Sequence, residues 1–217
     1  SSAAALGNGE AEVPLALIAL GGYGRGELNP FSDVDVMLLH QQRAEVSPHL
    51  AEMVNQILYL LWDSGFKVGH STRSIKEAIA QANSDMRTKT AMLEARFLAG
   101  NTELATEFRE QFRSKCVVGY ERDYVELRME DQVARHKKFG DSVYLQEPNL
   151  KSGCGGLRDY QNLLWITYFK EGSLSTNQLV GKDWLSESDQ RRIERAYDFL
   201  LRLRTDLHYA TGRATDI

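Results

Sequence analysis

Cysteine is scarce in this 217-residue chain, and the two that occur, Cys116 and Cys154, stand 38 positions apart. No C-x-x-C pair and no Cys/His metal spacing accompanies them, so two free thiols in a reducing compartment, the cytoplasm, are expected. Four prolines are too few for a disordered or linker-rich chain. No apolar run reaches the 18 residues a membrane span requires, and residues 1–12 lack the apolar stretch of a signal peptide, so neither membrane insertion nor export is expected. Positive charge is not in excess either: 26 Lys and Arg against 30 Asp and Glu leave a net charge of −4. Without a basic field to hold a long polyanion, nucleic acid is not expected as the main partner.

What the chain has is the composition of an ordinary globular protein, 42% hydrophobic and 26% charged, at a length that buries a core without metal or disulfide staples. LALIAL at 15–20 and VDVMLL at 34–39 are short continuous apolar runs, the signature of strands buried on both faces. Between 48 and 64, Leu50, Met53, Val54, Ile57, Leu58, Leu61 and Trp62 recur at three- and four-residue steps, and Gly65 supplies a stop; this predicts an amphipathic helix. FKVGHST at 66–72 reads as a third strand, and Ser74 with Glu77 forms a capping box opening the next helix, through about Ala82. Strand signals nearly vanish beyond Asp85. Helices are expected at about 85–99, 102–116 and 119–139, again from LRDYQNLLWITYF onward, and from 186 to 211, interrupted by the glycine-rich EPNLKSGCGG at 147–156. Two units follow: an α/β core at 13–84 and a helical one at 85–217. Residues 213–217 end on no cap or turn, so a longer protein is expected.

The chemistry concentrates in GGYGRGELNPFSDVDVMLL, residues 21–39. Residues two apart on an extended chain point the same way, so Asp33 and Asp35 can share one or two Mg²⁺ ions, and a divalent cation resolves the repulsion between their carboxylates. Such metals orient an attacking oxygen and stabilise charge on a phosphate. Gly21, Gly22, Gly24 and Gly26 permit φ > 0 and leave backbone N–H groups open, as an anion-binding nest for β- and γ-phosphates requires, and Arg25 adds a charged donor. Alone, a D-x-D is more often a solvated edge pair and a glycine-rich turn just a turn. Their combination, 11 residues apart from Gly22 to Asp33 and between buried strands, favours chemistry.

In its GxGRGEL…P-x-SD-x-D form this segment resembles the PII uridylyltransferases, of the DNA-polymerase-β-like nucleotidyltransferase superfamily. LLWDSGFKVGHSTRSIKEAI, TAMLEARFLAG and EPNLKSGCGGLRDYQNLLW resemble further segments of that family, so the likeness runs over about 15–212. The resemblance implies an α/β (α+β) nucleotidyltransferase core with a small mixed sheet, followed by an all-helical domain that completes the active site. It also implies Mg²⁺-dependent transfer of UMP from UTP to a tyrosine of the PII signalling protein. The family's metal-binding aspartates map onto Asp33 and Asp35 and its glycine pair onto Gly21 and Gly22. Ser32, inside the same motif, joins the nucleotide-binding set. Many relatives in the superfamily add a third carboxylate from a later strand; FKVGHSTRS contains none, and His70 is the residue able to occupy that surface. The family's uridylyl-removing HD domain and ligand-sensing ACT domains have no room here, and no H…HD constellation occurs.

A second constellation is KSGCGGLRD, residues 151–159. Its glycines and the following helix start suit a phosphate or an acidic loop, with Lys151 and Arg158 as cations; the plainer reading is a tight turn in which Asp159 pairs with Arg158. Asp85, Arg87 and Glu94 are expected in surface or interdomain pairs, the mixed charges of 121–138 on a solvated face, and Trp62, Trp165 and Trp184 in the core. Other readings remain open: another NTP or acceptor, or a regulatory nucleotide-binding module without chemistry.

Overall fold

A computed structural model of the chain describes residues 14–41 and 48–217. The leader expectation for residues 1–12 and the side chain of Leu50 lie outside what is described. Four strands, β1 (Leu15–Ala19), β2 (Val34–His40), β3 (Val68–Ser74) and β4 (Arg96–Gly100), form one sheet in the order β3-β2-β1-β4. β1 runs antiparallel to both β2 and β4, while β2 and β3 are parallel, so the sheet is mixed as expected. The continuous apolar runs follow from burial on both faces. Ala16, Ile18, Met37 and Leu39 face a core shared with Ala78, Ile79, Phe108 and Phe112, whereas Val34, Val36 and Leu38 alternate to the other face and are buried too. Helix α2 (Pro48–Asp63) packs against β3.

A one-turn helix α1 (Gly21–Arg25) links β1 to the β2 approach. Helix α3 (Ile75–Ser84) opens on the expected capping box: Glu77 N–H donates to Ser74 Oγ at 3.3 Å and Ser74 N–H to Glu77 Oε2 at 2.7 Å. Helix α4 (Met86–Leu93) is capped by Asp85, whose carboxylate accepts from Thr88 N at 2.8 Å. Helix α5 (Thr102–Phe112) continues into a π-helical turn, Arg113–Val117. Then come α6 (Glu121–Lys138), α7 (Leu157–Glu171), α8 (Asn177–Val180) and α9 (Glu187–Thr211), the last running from its Ser186 cap to Gly212.

Several expectations are corrected. The helix expected at 85–99 ends at Leu93, and Arg96–Gly100 is a strand, because an edge position beside β1 offers backbone partners that override a local helical pattern. The third strand starts at Val68 and ends at Ser74 rather than covering 66–72. A core unit of 13–84 therefore does not close the sheet, whose fourth strand comes from beyond that boundary. Trp165, Tyr124 and Phe169 belong to the same buried cluster as Ile18 and Met37, so one core runs from the sheet into the helices. Of the three tryptophans only Trp165 is interior, at 1% exposure. Trp62 packs edge-on against Tyr59 and His70 at the surface, and Trp184 lies beneath Lys170 and Lys182.

Candidate active site

The glycine-rich segment is a turn of helix rather than an open nest. Gly21 and Gly26 take positive φ, at 54° and 76°, but Gly22 and Gly24 are helical, and Gly24 N–H is already bonded to Leu20 O at 2.9 Å. Gly24 is required by contact: a Cβ there would lie 2.2 Å from Glu94 O. The turn delivers the chain to the start of β2, where Leu20 N–H donates to Asp35 O at 2.9 Å and pins the strand end. On the parallel neighbour Gly69 sits in register with Asp35, and a Cβ on Gly69 would fall 2.3 Å from Asp35 Oδ1. Space around that carboxylate thus depends on a glycine in β3. His70, the next residue, registers with Val36 and so turns to the opposite face, where it meets Trp62; it does not stand in for a third carboxylate.

Asp33 and Asp35 open into a cavity of about 490 Å³ together with Gly21, Gly22, Arg25 and Ser32. From across the chain α4, α6, α7 and α9 contribute Arg87, Arg128, Arg158, Gln161, Trp165 and Arg204, and the glycine loop contributes Lys151. Gly24 and Gly26, expected among the nucleotide-binding residues, do not line it. Burial, then the negative charge of Asp33, pushes the Asp35 carboxyl above its usual range, while Lys151 pulls it back. The hydroxyl of Ser32 is buried beside them with no partner among the described residues.

The remaining acids on the cavity wall are engaged. Arg25 donates from Nη1 to Glu94 Oε1 at 2.6 Å and from Nε to Glu27 Oε2 at 2.7 Å. Burial alone would lower its pKa, but the two carboxylates outweigh this and the net displacement is upward. Arg25 is therefore held as an ion-paired strut rather than free to close on a phosphate. Glu94 also accepts from Trp165 Nε1 at 2.5 Å, so one buried carboxylate ties α1 to α7. Glu94, expected in a surface or interdomain pair, is thus a buried partner of Arg25 and Trp165. Tyr197 of α9 donates to Glu27 Oε2 at 2.6 Å, and Asp131 lies 3.2 Å from Arg128 Nη2, close enough for an ion pair though not aligned as a hydrogen bond.

Lys151 and Arg158, by contrast, carry positive charge with no carboxylate partner among the described residues. Arg158 lies over the Trp165 ring at 5.1 Å. Burial, then repulsion from Arg25, pulls its guanidinium down to about 10, still protonated at neutral pH. Burial and then the Arg158 and Arg204 charges lower Lys151. Two unneutralised cations thus share a wall with two unneutralised carboxylates. The loop's backbone is not available as expected, however. Leu157 and Arg158 N–H are bonded to Leu150 O and Lys151 O at 3.0 and 2.9 Å, Gly153 and Gly156 N–H to Asn149 O and Gly153 O, and Gly155 N–H to Asp159 Oδ2. Its glycines serve tight folding: a Cβ on Gly153 would meet Asn149 O at 2.8 Å. Asp159 pairs with Arg135 at 2.5 Å and with His136, not with Arg158. Lys151 of the loop and Arg158 of the first turn of α7 offer an anion their side chains, while the N–H groups at that helix start are already bonded.

The donor set suits a hard divalent cation: two carboxylates, with Asp35 raised by burial and then by repulsion from Asp33, in a site cleared by Gly69.

Residues 10–98 match the nucleotidyltransferase domain model, and residues 123–217 match the GlnD PII-uridylyltransferase model. The chain is 42% identical over 200 residues to a bifunctional uridylyltransferase/uridylyl-removing enzyme of Azospirillum brasilense, covering 92% of this chain and 21% of that protein. A protein of the same name from Rhodospirillum rubrum is 43% identical over 199 residues, with 92% and 21% covered. The chain is similar to the PII uridylyltransferases over more than nine-tenths of its length. It carries a match to a nucleotidyltransferase domain, and it spans about a fifth of the length of the curated proteins it matches. The two family models meet across the cavity: the first holds the Asp33–Asp35 pair, the second Lys151 and Arg158. No helix among the described residues is long and apolar enough to cross a membrane.

Sequence reasoning did not find Arg128, Gln161 or Arg204 on the cavity wall. Each is a polar side chain on a helix whose role at the cavity depends on which other helices pack against it, so no local signal marks them.

Proposed function

We propose that this chain carries the uridylyl-transferring site of the PII uridylyltransferases, moving UMP from UTP to a tyrosine hydroxyl of a PII-type signalling protein in the cytoplasm and releasing pyrophosphate. One observation carries the reading: Asp33 and Asp35 face the same cavity as Lys151 and Arg158, and none of the four makes a direct ion pair among the described residues. A nucleoside triphosphate with Mg²⁺ has the complementary distribution, a cation for the carboxylates and a polyanion for the bases.

Asp33 and Asp35 would hold Mg²⁺, which supplies charge stabilisation at the α-phosphate and at the departing pyrophosphate. Lys151 and Arg158 bind the phosphate chain and fix its direction across the cavity. Ser32, buried and unpartnered, donates its hydroxyl proton to a phosphate oxygen. Arg25 acts at one remove: held by Glu27 and Glu94, it keeps the α1 turn against α7 so that Gly21 and Gly22 stay at the floor. The attacking tyrosine approaches from the open side; its hydroxyl proton passes to solvent, and its oxygen forms the new P–O bond as the bond to pyrophosphate breaks.

The test is incubation with Mg²⁺, each labelled NTP in turn, and a PII protein. Covalent label from UTP supports the reading; label from another NTP, or on another acceptor, replaces its substrate. A second reading, nucleotide binding without chemistry, draws on the fact that Glu27, Glu94 and Asp131 are all engaged, leaving two carboxylates rather than three. Tight UTP binding with no transfer to any acceptor would select it.

A further inference from the structure

Outside the cavity, three side chains of metal-ligating type converge where α6 ends. A ring nitrogen of His136, a carboxylate oxygen of Asp141 and the sulfur of Cys154 all lie within 4.8 Å of one another. They come from separate places: His136 from the last turn of α6, Asp141 from the turn after it, and Cys154 from the glycine loop. Neither the Cys154 thiol nor the Asp141 carboxylate has a hydrogen-bond or ion-pair partner among the described residues.

We propose that His136, Asp141 and Cys154 form a binding site for a thiophilic divalent ion, Zn²⁺, distinct from the Asp33–Asp35 pair. The strongest support is the carboxylate behind the histidine. His136 Nε2 lies 3.0 and 3.1 Å from the two oxygens of Asp159, which fixes Nε2 as the protonated nitrogen and leaves the lone pair on Nδ1 for a metal. Asp159 is itself held by Arg135 Nη2 at 2.5 Å and by Gly155 N–H at 2.8 Å, so its acceptor sites are occupied and it orients the imidazole rather than ligating. A carboxylate behind a histidine, setting its tautomer and basicity, is the usual outer shell of a metal-bound imidazole.

The donor set selects the ion. Thiolate with imidazole excludes Mg²⁺ and Ca²⁺, which take oxygen, and favours Zn²⁺ with a carboxylate as third ligand and water as fourth. Bond lengths of about 2.0–2.3 Å place tetrahedral ligand atoms roughly 3.4–3.8 Å apart. Atoms already within 4.8 Å of one another therefore need to close by no more than about 1.4 Å, and the exposed Asp141 side chain is free to rotate. Occupancy would staple the end of α6 to the loop. Since Lys151 precedes Cys154 by three residues, the ion would restrain the segment that offers Lys151 to the cavity.

The probe is Co²⁺ added to the whole chain without nucleotide, read by the near-ultraviolet thiolate-to-cobalt charge-transfer band, with Zn²⁺ then displacing it. A saturable one-to-one band is expected. It should vanish in Cys154→Ser, weaken about tenfold or more in affinity in Asp141→Asn, and persist in Cys116→Ser and in Asp33→Asn. The Asp33 variant separates this site from the nucleotidyl one. No band in the wild-type chain, or a band that survives Cys154→Ser, overturns the proposal.

Discussion

Gly24 and Glu94 meet backbone to backbone: the carbonyl oxygen of Glu94 occupies the place a side chain on Gly24 would need, 2.2 Å from an ideal Cβ. At Gly22, two residues away, the nearest obstruction to a Cβ is 3.8 Å off. The two glycines should therefore respond differently. Gly24→Ala is expected to cost about 2 kcal/mol or more through overpacking against fixed backbone, measured by urea unfolding. Gly22→Ala should stay within about 1 kcal/mol of wild type, the cost of ordinary substitutions, and act instead on UTP affinity, because it lines the cavity. Equal stability losses would dissolve the distinction.

Replacing Asp35 by Asn should abolish transfer without weakening the empty protein. The Asp35 carboxyl is raised in the folded state by burial and then by Asp33. A raised carboxyl stabilises the fold in its protonated form, a contribution present at low pH and lost as pH rises through the folded-state value. At neutral pH without metal, Asp35→Asn is therefore expected to melt at or above wild type, with the advantage disappearing as pH falls into the carboxylate range. Added Mg²⁺ should raise the melting temperature of wild type but not of the variant. A variant that melts well below wild type at pH 7 contradicts this.

Arg158→Gln and Lys151→Gln remove cations that no described carboxylate neutralises, so folding stability should change little while UTP binding suffers. A loss of about tenfold in UTP affinity for each, or 1.4 kcal/mol, is expected by calorimetry, with wild-type binding falling more steeply with salt than that of either variant. Unchanged affinity at both low and high ionic strength would leave the two as packing residues.

Glu94→Leu should be the most damaging substitution at the interface of the two family segments. It strands the buried Trp165 N–H and leaves the Arg25 guanidinium with Glu27 alone, where the Glu94 carboxylate had bound the two at 2.5 and 2.6 Å. Removing one partner of a buried pair typically costs about 3–5 kcal/mol. Glu94→Gln, which keeps an acceptor, should recover part of that loss; the order of the two variants in chemical denaturation is the check.

Strands β1 and β2 were legible because burial on both faces writes an unbroken apolar run into the sequence, and Asp33 and Asp35 because strand geometry alone sets their common side. β4 was not, since RFLAG pairs along one side only and its two middle residues are half-exposed, leaving no alternation to read. The glycine loop was half legible. Its cations stand on the cavity, as composition suggested, but the N–H groups of its three glycines are spent on loop carbonyls and on the Asp159 carboxylate, which depends on a conformation that no residue pattern announces. Glu94 meets Arg25 across 69 positions, and Cys154 nears His136 through a turn at Gly140, so both associations are products of tertiary packing. Trp62 and Trp184 show the converse: apolar sequence neighbours do not guarantee cover when the helix or turn carrying them lies at the surface.

The strand order β3-β2-β1-β4 has a consequence for synthesis. β1 is made first, yet one of its two edges stays unpaired until residue 100 has left the ribosome, and that edge belongs to LALIA, an apolar segment without charge. A nascent or cleaved fragment ending anywhere before β4 presents an open, hydrophobic strand edge, the kind that recruits other chains. Shortened versions built for binding work should therefore keep residues 96–100, and chaperone demand during translation should peak while the α2 to α4 region emerges.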